Sequence, residues 1–317
     1  MSETILVTGA CGQIGSELVP ALRKVYNRVI ASDLKEPPES LNDASDFIRL
    51  DVLYKNGLLD CIRRFKVTQV YHLAAVLSAT GERNPEMAWR INMKGLRNVL
   101  DVCAANNVRK LFFPSTIAVF GPTTPKNGTP QFTVMEPNTI YGISKLAGER
   151  WCHWYHLKTG LDVRGLRYPG LISYKTKAGG GTTDYAVEIF FEAVQHKKYV
   201  CYLSENTVLP MMYMPDAIRG TIELMEAPAE RISTRSSYNF SGISFSPAEL
   251  AAEIKKHIPE FTIQYQPDFR QQIADGWPQS IDDSVAQRDW GWQPAYSLQA
   301  IVVDMLQNIR RLKSSSA

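Results

Sequence analysis

Short apolar runs alternate with amphipathic stretches through the first half of the chain. The runs Thr4–Thr8, Arg28–Ser32, Phe47–Leu50, Gln69–Leu73, Lys110–Pro114 and Asp162–Leu166 predict strands. Helical periodicity between them predicts helices over Gln13–Tyr26, Gly57–Phe65, Pro85–Asn106 and Gly142–Thr159. Strands that alternate with helices must be joined by crossovers, which makes the sheet parallel and covers both of its faces. The strands carry the near-continuous apolar character that doubly covered strands need. The fold class expected is α/β, a doubly wound parallel sheet with a smaller α/β C-terminal lobe.

The rhythm changes near residue 170. Lys175–Thr183 is polar and glycine-rich, and helices are expected over Asp184–His196, Pro215–Glu226, Pro247–His257 and Ser297–Leu312. Ser246, Pro247 and Glu249 form a strong start signal for the third of these. Short strands are expected near Tyr199–Tyr202, Ser237–Phe240 and Thr262–Tyr265. No linker composition separates the halves, so residues 1–170 are expected to hold the sheet. Residues 171–317 should form most of the lobe, with the chain returning to the sheet domain.

Composition narrows the function. The 317 residues carry 35 Lys+Arg against 32 Asp+Glu, too even a balance for a nucleic-acid footprint. No run approaches the ~20 apolar residues of a membrane span. The five cysteines are scattered, which speaks against both a disulfide framework and a metal site. Cys103 and Cys152 fall in helical apolar patterns, where a buried reduced thiol is expected. The first residues lack the regions of a signal peptide and an arginine-rich presequence, so cytoplasm is the expected location. His153 and His156 stand three apart on a helix among Trp151, Trp154 and Tyr155, where packing outweighs metal binding.

The first strand runs into Gly9-Ala-Cys-Gly12-Gln-Ile-Gly15 and then a helix. Such a turn lets backbone N–H groups and a positive helix terminus approach a pyrophosphate. The second strand ends at Asp33, 18 residues after Gly15, where a carboxylate accepts from ribose hydroxyls and repels a 2′-phosphate. That favours NAD over NADP, with Lys35 the one dissenting neighbour. Asp51 and Val52 suit an adenine contact. Leu73, Ala74 and Ala75 offer small side chains where a cofactor must pass closely.

Tyr141 and Lys145 lie one turn apart on one helix face. A free phenol has a pKa of ~10, and a nearby ammonium with a positive nicotinamide ring favours its ionised form. A phenolate there can take an alcohol proton while hydride leaves the carbon. Ser115 ends the fifth strand, where parallel sheets place their ligand crevice, and could donate to a substrate oxygen. Thr116 could contact another substrate group. Asn92 either positions a proton relay or makes an interhelical hydrogen bond.

With these residues the chain resembles the extended short-chain dehydrogenase/reductase family. The likeness covers nearly all of its length and includes Trp290-Gly291-Trp292-Gln-Pro294. The resemblance implies a Rossmann sheet over 1–170 and hydride transfer between an alcohol carbon and NAD. Its implied cofactor contacts are Gly9, Gly12, Gln13, Ile14, Gly15, Asp33, Leu34, Asp51, Val52, Leu73, Ala74, Ala75, Asn92, Tyr141, Lys145, Tyr168 and Leu171. Pairing of the Pro85–Asn106 and Gly142–Thr159 helices across a homodimer is the family's habit.

The stretch Arg167-Tyr168-Pro169-Gly170-Leu171-Ile172 lacks the asparagine that nucleotide-sugar members carry, which weakens a nucleotide-sugar 4-epimerase or dehydratase reading. A little further along the chain stands Gly179-Gly-Gly-Thr182-Thr183-Asp184. Threonine hydroxyls and helix-start N–H groups can bind a carboxylate, and Asp184 an ammonium. The same residues also suit plain helix capping. The Pro114–Ala118, Thr182–Ala186, Leu209–Asp216 and Trp277–Ser284 segments resemble the threonine-oxidising branch of the family. That resemblance implies NAD-dependent oxidation of L-threonine at C3 to L-2-amino-3-oxobutanoate, with Tyr141, Lys145 and Ser115 catalytic. It implies a substrate site of Ser78, Ser115, Thr116, Tyr141, Thr182, Thr183 and Asp184; Ser78 reads equally as a loop serine. Tyr168–Thr183 and Thr123–Thr133 are lid candidates, with Lys175 and Lys177 expected in solvent.

Overall fold

The structure is a computed structural model and describes residues 3–38, 41, 46–176 and 180–315. Strands β1 (Thr4–Thr8), β2 (Arg28–Asp33), β3 (Phe47–Arg49), β4 (Gln69–His72), β5 (Lys110–Thr116) and β6 (Asp162–Tyr168) fall where the apolar runs predict them. β5 and β6 each run two residues further than their apolar cores, because backbone pairing continues from Ser115 to Arg167 and from Thr116 to Tyr168. β7 (Gly170–Ile172), β8 (Lys198–Cys201) and β9 (Leu209–Tyr213) come next, then β10 (Tyr238–Asn239), β11 (Ile243–Phe245) and β12 (Thr262–Tyr265).

The main sheet has the order β10-β6-β5-β4-β1-β2-β3, and all its pairs are parallel. Chain direction across the sheet reverses between β1 and β4, which opens a crevice at their carboxyl ends. Ile5, Leu6 and Val7 of β1 are fully buried, as a central strand covered on both faces must be. The lobe holds two small sheets, β11-β9-β7 and β12-β8. β10 pairs with Leu166 and Arg167, so the late chain returns to the main sheet.

The long helix expected over Pro85–Asn106 is built as Pro85–Trp89, a wider π-helical stretch at Arg90–Gly95, and Leu96–Ala105. The catalytic-segment helix starts earlier than its apolar pattern, at Ile140, because Thr139 accepts from Gly142 N at 3.1 Å. Strands β7, β9 and β11 and the short helices Ser78–Arg83, Phe269–Asp275 and Ser284–Trp290 were not expected from periodicity. They are too brief to show a period.

The Thr123–Thr133 segment is no free lid. Thr129 N donates to Ser280 O at 3.0 Å, Gln131 Nε2 to Ser237 O at 2.9 Å, and Asn239 Nδ2 to Thr129 O at 2.9 Å. Lys175 is exposed, as expected, and pairs with Glu17 at 3.2 Å; Lys177 lies outside the described residues. Among the described residues no helix is long and apolar enough to cross a membrane.

Candidate active site

Two adjoining cavities occupy the crevice. One, of about 410 Å³, is lined by Gly9, Gly12, Asp33, Leu34, Asp51, Val52, Leu73, Ala74 and Ala75, with Lys35 and Arg90 beside them. The other, of about 220 Å³, shares Gly9, Gly12, Leu73 and Ala75 and adds Gln13, Ile14, Gly15, Tyr141, Lys145, Tyr168 and Leu171. Sixteen of the seventeen expected cofactor residues therefore meet in one continuous cleft. Asn92 does not line it. Its side chain accepts from Val76 N at 2.8 Å and donates to Val76 O and Ser144 Oγ, each at 3.1 Å. It ties the loop after β4 to the Ile140–Thr159 helix, which is the interhelical alternative.

The glycine loop has the shape a pyrophosphate needs. Gly9 takes a φ of +73°, and a Cβ there would stand 2.6 Å from Ala74 N. A Cβ on Gly15 would stand 2.6 Å from Gly9 O. Neither position has room for a side chain, and Gly9, Gly12 and Gly15 line the cleft. The buried Gln13 Nε2 has no hydrogen-bond partner, a donor left over at this cradle. Asp33 Oδ2 accepts from Cys11 N at 2.9 Å and Oδ1 from Lys35 N at 3.0 Å, which fixes the carboxylate at the cavity wall. Each oxygen keeps a lone pair for a ribose hydroxyl. The residues fit a dinucleotide.

Tyr141 lines the smaller cavity. Burial pushes its phenol up to about 12, and a hydrogen bond with Thr116 opposes that rise. Burial pushes the Lys145 amine down to about 8, against the pull of Cys152 and the Glu149 carboxylate. Lys145 Nζ donates to Pro114 O at 2.7 Å.

Ser115 and Thr116, adjacent at the end of β5, both line this cavity. The Ser115 hydroxyl donates to Glu149 Oε1 at 2.6 Å, and Thr116 is hydrogen-bonded to Tyr141. The Tyr168 hydroxyl turns to Thr221.

The same cavity is also walled by Ser78, Thr182, Thr183 and Asp184. Asp184 Oδ2 accepts from Gly180 N and Gly181 N, both at 2.7 Å, so the carboxylate folds over the glycine turn that precedes it. It precedes the Tyr185–His196 helix but makes no side-chain cap to it. Leu77, Ile117, Pro169, Gly170 and Trp277 complete the lining and were not picked out as site residues. Only tertiary packing brings Trp277 here; its place in a segment shared with the resembled family is the one sequence signal it carries.

Comparison with known proteins fits this geometry. A family model described as NAD dependent epimerase/dehydratase family matches residues 5–240. The chain is 49% identical over 305 residues to L-threonine 3-dehydrogenase, mitochondrial, of Sus scrofa, a match that spans 95% of this chain and 81% of that relative. The holo form of the GalE-like L-threonine dehydrogenase from Cupriavidus necator superposes with a TM-score of 0.93 at 55% identity, over 96% of this chain and 99% of that one. A monomeric L-threonine 3-dehydrogenase from a metagenome, in its apo form, gives a TM-score of 0.93 at 50% identity, covering 98% and 99%.

Proposed function

Because the chain belongs to the NAD dependent epimerase/dehydratase family, we propose that it is an oxidoreductase that oxidises L-threonine at C3 with NAD, giving L-2-amino-3-oxobutanoate. One observation carries this reading: a single cavity is lined both by the Tyr141–Lys145–Thr116 group and by Thr182, Thr183 and Asp184. A zwitterion held there through both charges presents its hydroxyl to the phenol.

NAD, when bound, would be held by the glycine loop and Asp33 and would supply the acceptor for the C3 hydride. The chain's own residues do the rest. Tyr141 takes the hydroxyl proton at its phenol oxygen. Thr116 donates to that oxygen and supports its negative charge. Lys145, anchored on Pro114 O, adds a nearby positive charge. Asp184 and the threonines orient the amino acid, and the glycine loop and Asp33 hold the dinucleotide.

The finer assignments rest on the same basis. Residues 1–170 carry the cofactor and 171–317 most of the substrate lobe. The setting is threonine catabolism in the cytoplasm, and five free cysteines support a reducing compartment. The assembly is a homodimer, favoured by Trp89, Ile143, Trp154 and Leu157, which all stay substantially exposed on the two long helical segments.

The test mixes the protein with NAD and L-threonine and follows NADH absorbance, with a UDP-sugar as control. Reduction with threonine alone is expected. No reduction with threonine, or conversion of the sugar, refutes the reading and restores the epimerase or dehydratase alternative.

A further inference from the structure

Beneath the reacting groups lies a buried polar network. Glu149, fully buried, comes one helical turn after Lys145. Its Oε1 accepts from Ser115 Oγ at 2.6 Å and Arg167 Nε at 2.9 Å, and its Oε2 accepts from Arg167 Nη2 at 2.8 Å. The Arg167 fork continues outward, with Nη1 donating to Gln131 O and Asn239 Oδ1, each at 3.0 Å. Gln131 and Asn239 are joined in turn by a 2.7 Å hydrogen bond from Asn239 N. The network thus reaches the Ile140–Thr159 helix, β5, β6, β10 and the Thr123–Thr133 segment.

We infer that Glu149, locked by Arg167, is a positioning residue for the oxidation: by accepting from the Ser115 hydroxyl it pins the end of β5, where Ser115 and Thr116 both line the cavity with Tyr141. An ion pair between two charges this deeply buried costs desolvation that a pair of apolar side chains would not. What it gives in return is a fixed acceptor at one point. A strand end freed from that acceptor could shift both hydroxyls relative to the phenol. The carboxylate also supplies the negative charge nearest Lys145 on its own helix. Cys152 from that helix, the Tyr141 phenol and the buried His72 at the end of β4 are the other titratable groups that face the ammonium.

The inference rests on the dehydrogenase reading, and wild-type turnover separates the two. Ser115→Ala leaves the Glu149–Arg167 pair whole and should fold normally. Its kcat for L-threonine should fall about tenfold, with the KM for NAD unchanged. The rising limb of log kcat against pH, which reports loss of the Tyr141 proton, should move to higher pH. Ser115→Thr, which restores the hydroxyl, should recover most of the loss. Glu149→Gln should move the same limb in the same direction if it folds. Wild-type kcat and limb position in Ser115→Ala overturn the positioning role while the reaction stands. A fall in kcat with no movement of the limb and no rescue by threonine overturns it too. Absence of threonine turnover in the wild type overturns both.

Discussion

Lys145 Nζ donates to the carbonyl of Pro114 at 2.7 Å and lies 5.7 Å from the centre of the Tyr141 ring. The ammonium is therefore anchored on the strand, not on the phenol. In the proposed mechanism its charge supports Tyr141 through space. Tyr141→Phe should lower kcat by about 10²–10⁴-fold and leave NAD binding intact. Lys145→Met removes the ammonium at every pH. The phenol then ionises less readily, so the rising limb of the pH–rate profile should shift to higher pH. Steady-state rates from neutral to alkaline pH check both, and an unshifted limb in Lys145→Met would show that the lysine charge does not support the base.

In the proposed reading Asp184 gives its charge to the substrate ammonium, while its Oδ2 accepts from Gly180 N and Gly181 N. Asn at this position keeps an oxygen for the turn and loses the charge. A hydrogen bond to a charged group is worth roughly 1.5–3 kcal/mol. Asp184→Asn should then raise the KM for L-threonine by about 10–100-fold with unchanged affinity for NAD. Equal weakening of both ligands would mean that the substitution merely loosens the fold.

Gly15 has no room for a methyl group, since its Cβ would stand 2.6 Å from Gly9 O and 2.7 Å from the Ala10 Cα. Both obstacles are backbone, so relief requires the loop to move. Calorimetric titration of Gly15→Ala with NAD should show affinity reduced by about tenfold or more. Wild-type affinity would mean that the loop does not cradle the pyrophosphate.

His72 is buried with Nδ1 against Thr8 Oγ1 at 2.8 Å, and burial first, the Lys145 charge second, push its ring down to about 3. The unfolded chain takes up a proton near the ordinary histidine value of ~6.5, which the folded chain refuses until far lower pH. Stability should therefore fall as pH drops from about 6.5 toward 3, by up to about 1.4 kcal/mol per pH unit from this residue. His72→Asn should flatten that part of the curve. Thermal melts of both proteins from pH 7 to 4 decide it; parallel slopes would clear His72 of any part in acid sensitivity.

Trp154 is 46% exposed and Leu157 66%, both on the helix that carries the catalytic pair. Sedimentation of the wild type should give a dimer, and Trp154→Glu should shift it to monomer. A wild-type monomer rejects the dimer.

The sheet was readable because its strands are buried on both faces and leave continuous apolar runs such as Ile5-Leu6-Val7. The cofactor cleft was readable for a related reason: its glycines and Asp33 come from one local strand–turn–helix–strand unit. What periodicity missed depends on distant partners. The π-helical turn at Arg90–Gly95 contains Asn92, whose side chain is bound to Val76 and Ser144. No local pattern announces such a pair. The bond of Ser115 to Glu149 has the same origin, since its partner stands 34 residues on in another element.

β10 contributes only Tyr238 and Asn239 to the main sheet, yet it lies along β6 and closes that side. The Met214–Glu226 helix from the same half packs its Met214, Ala217 and Leu224 into the core that Leu166 and Tyr168 share. A fragment cut near residue 170 would leave unpaired amides along β6 and an oily flank open to water. Such a piece should clump instead of folding. Anyone hoping to express a free-standing coenzyme-binding half will have to keep the distant return strand attached.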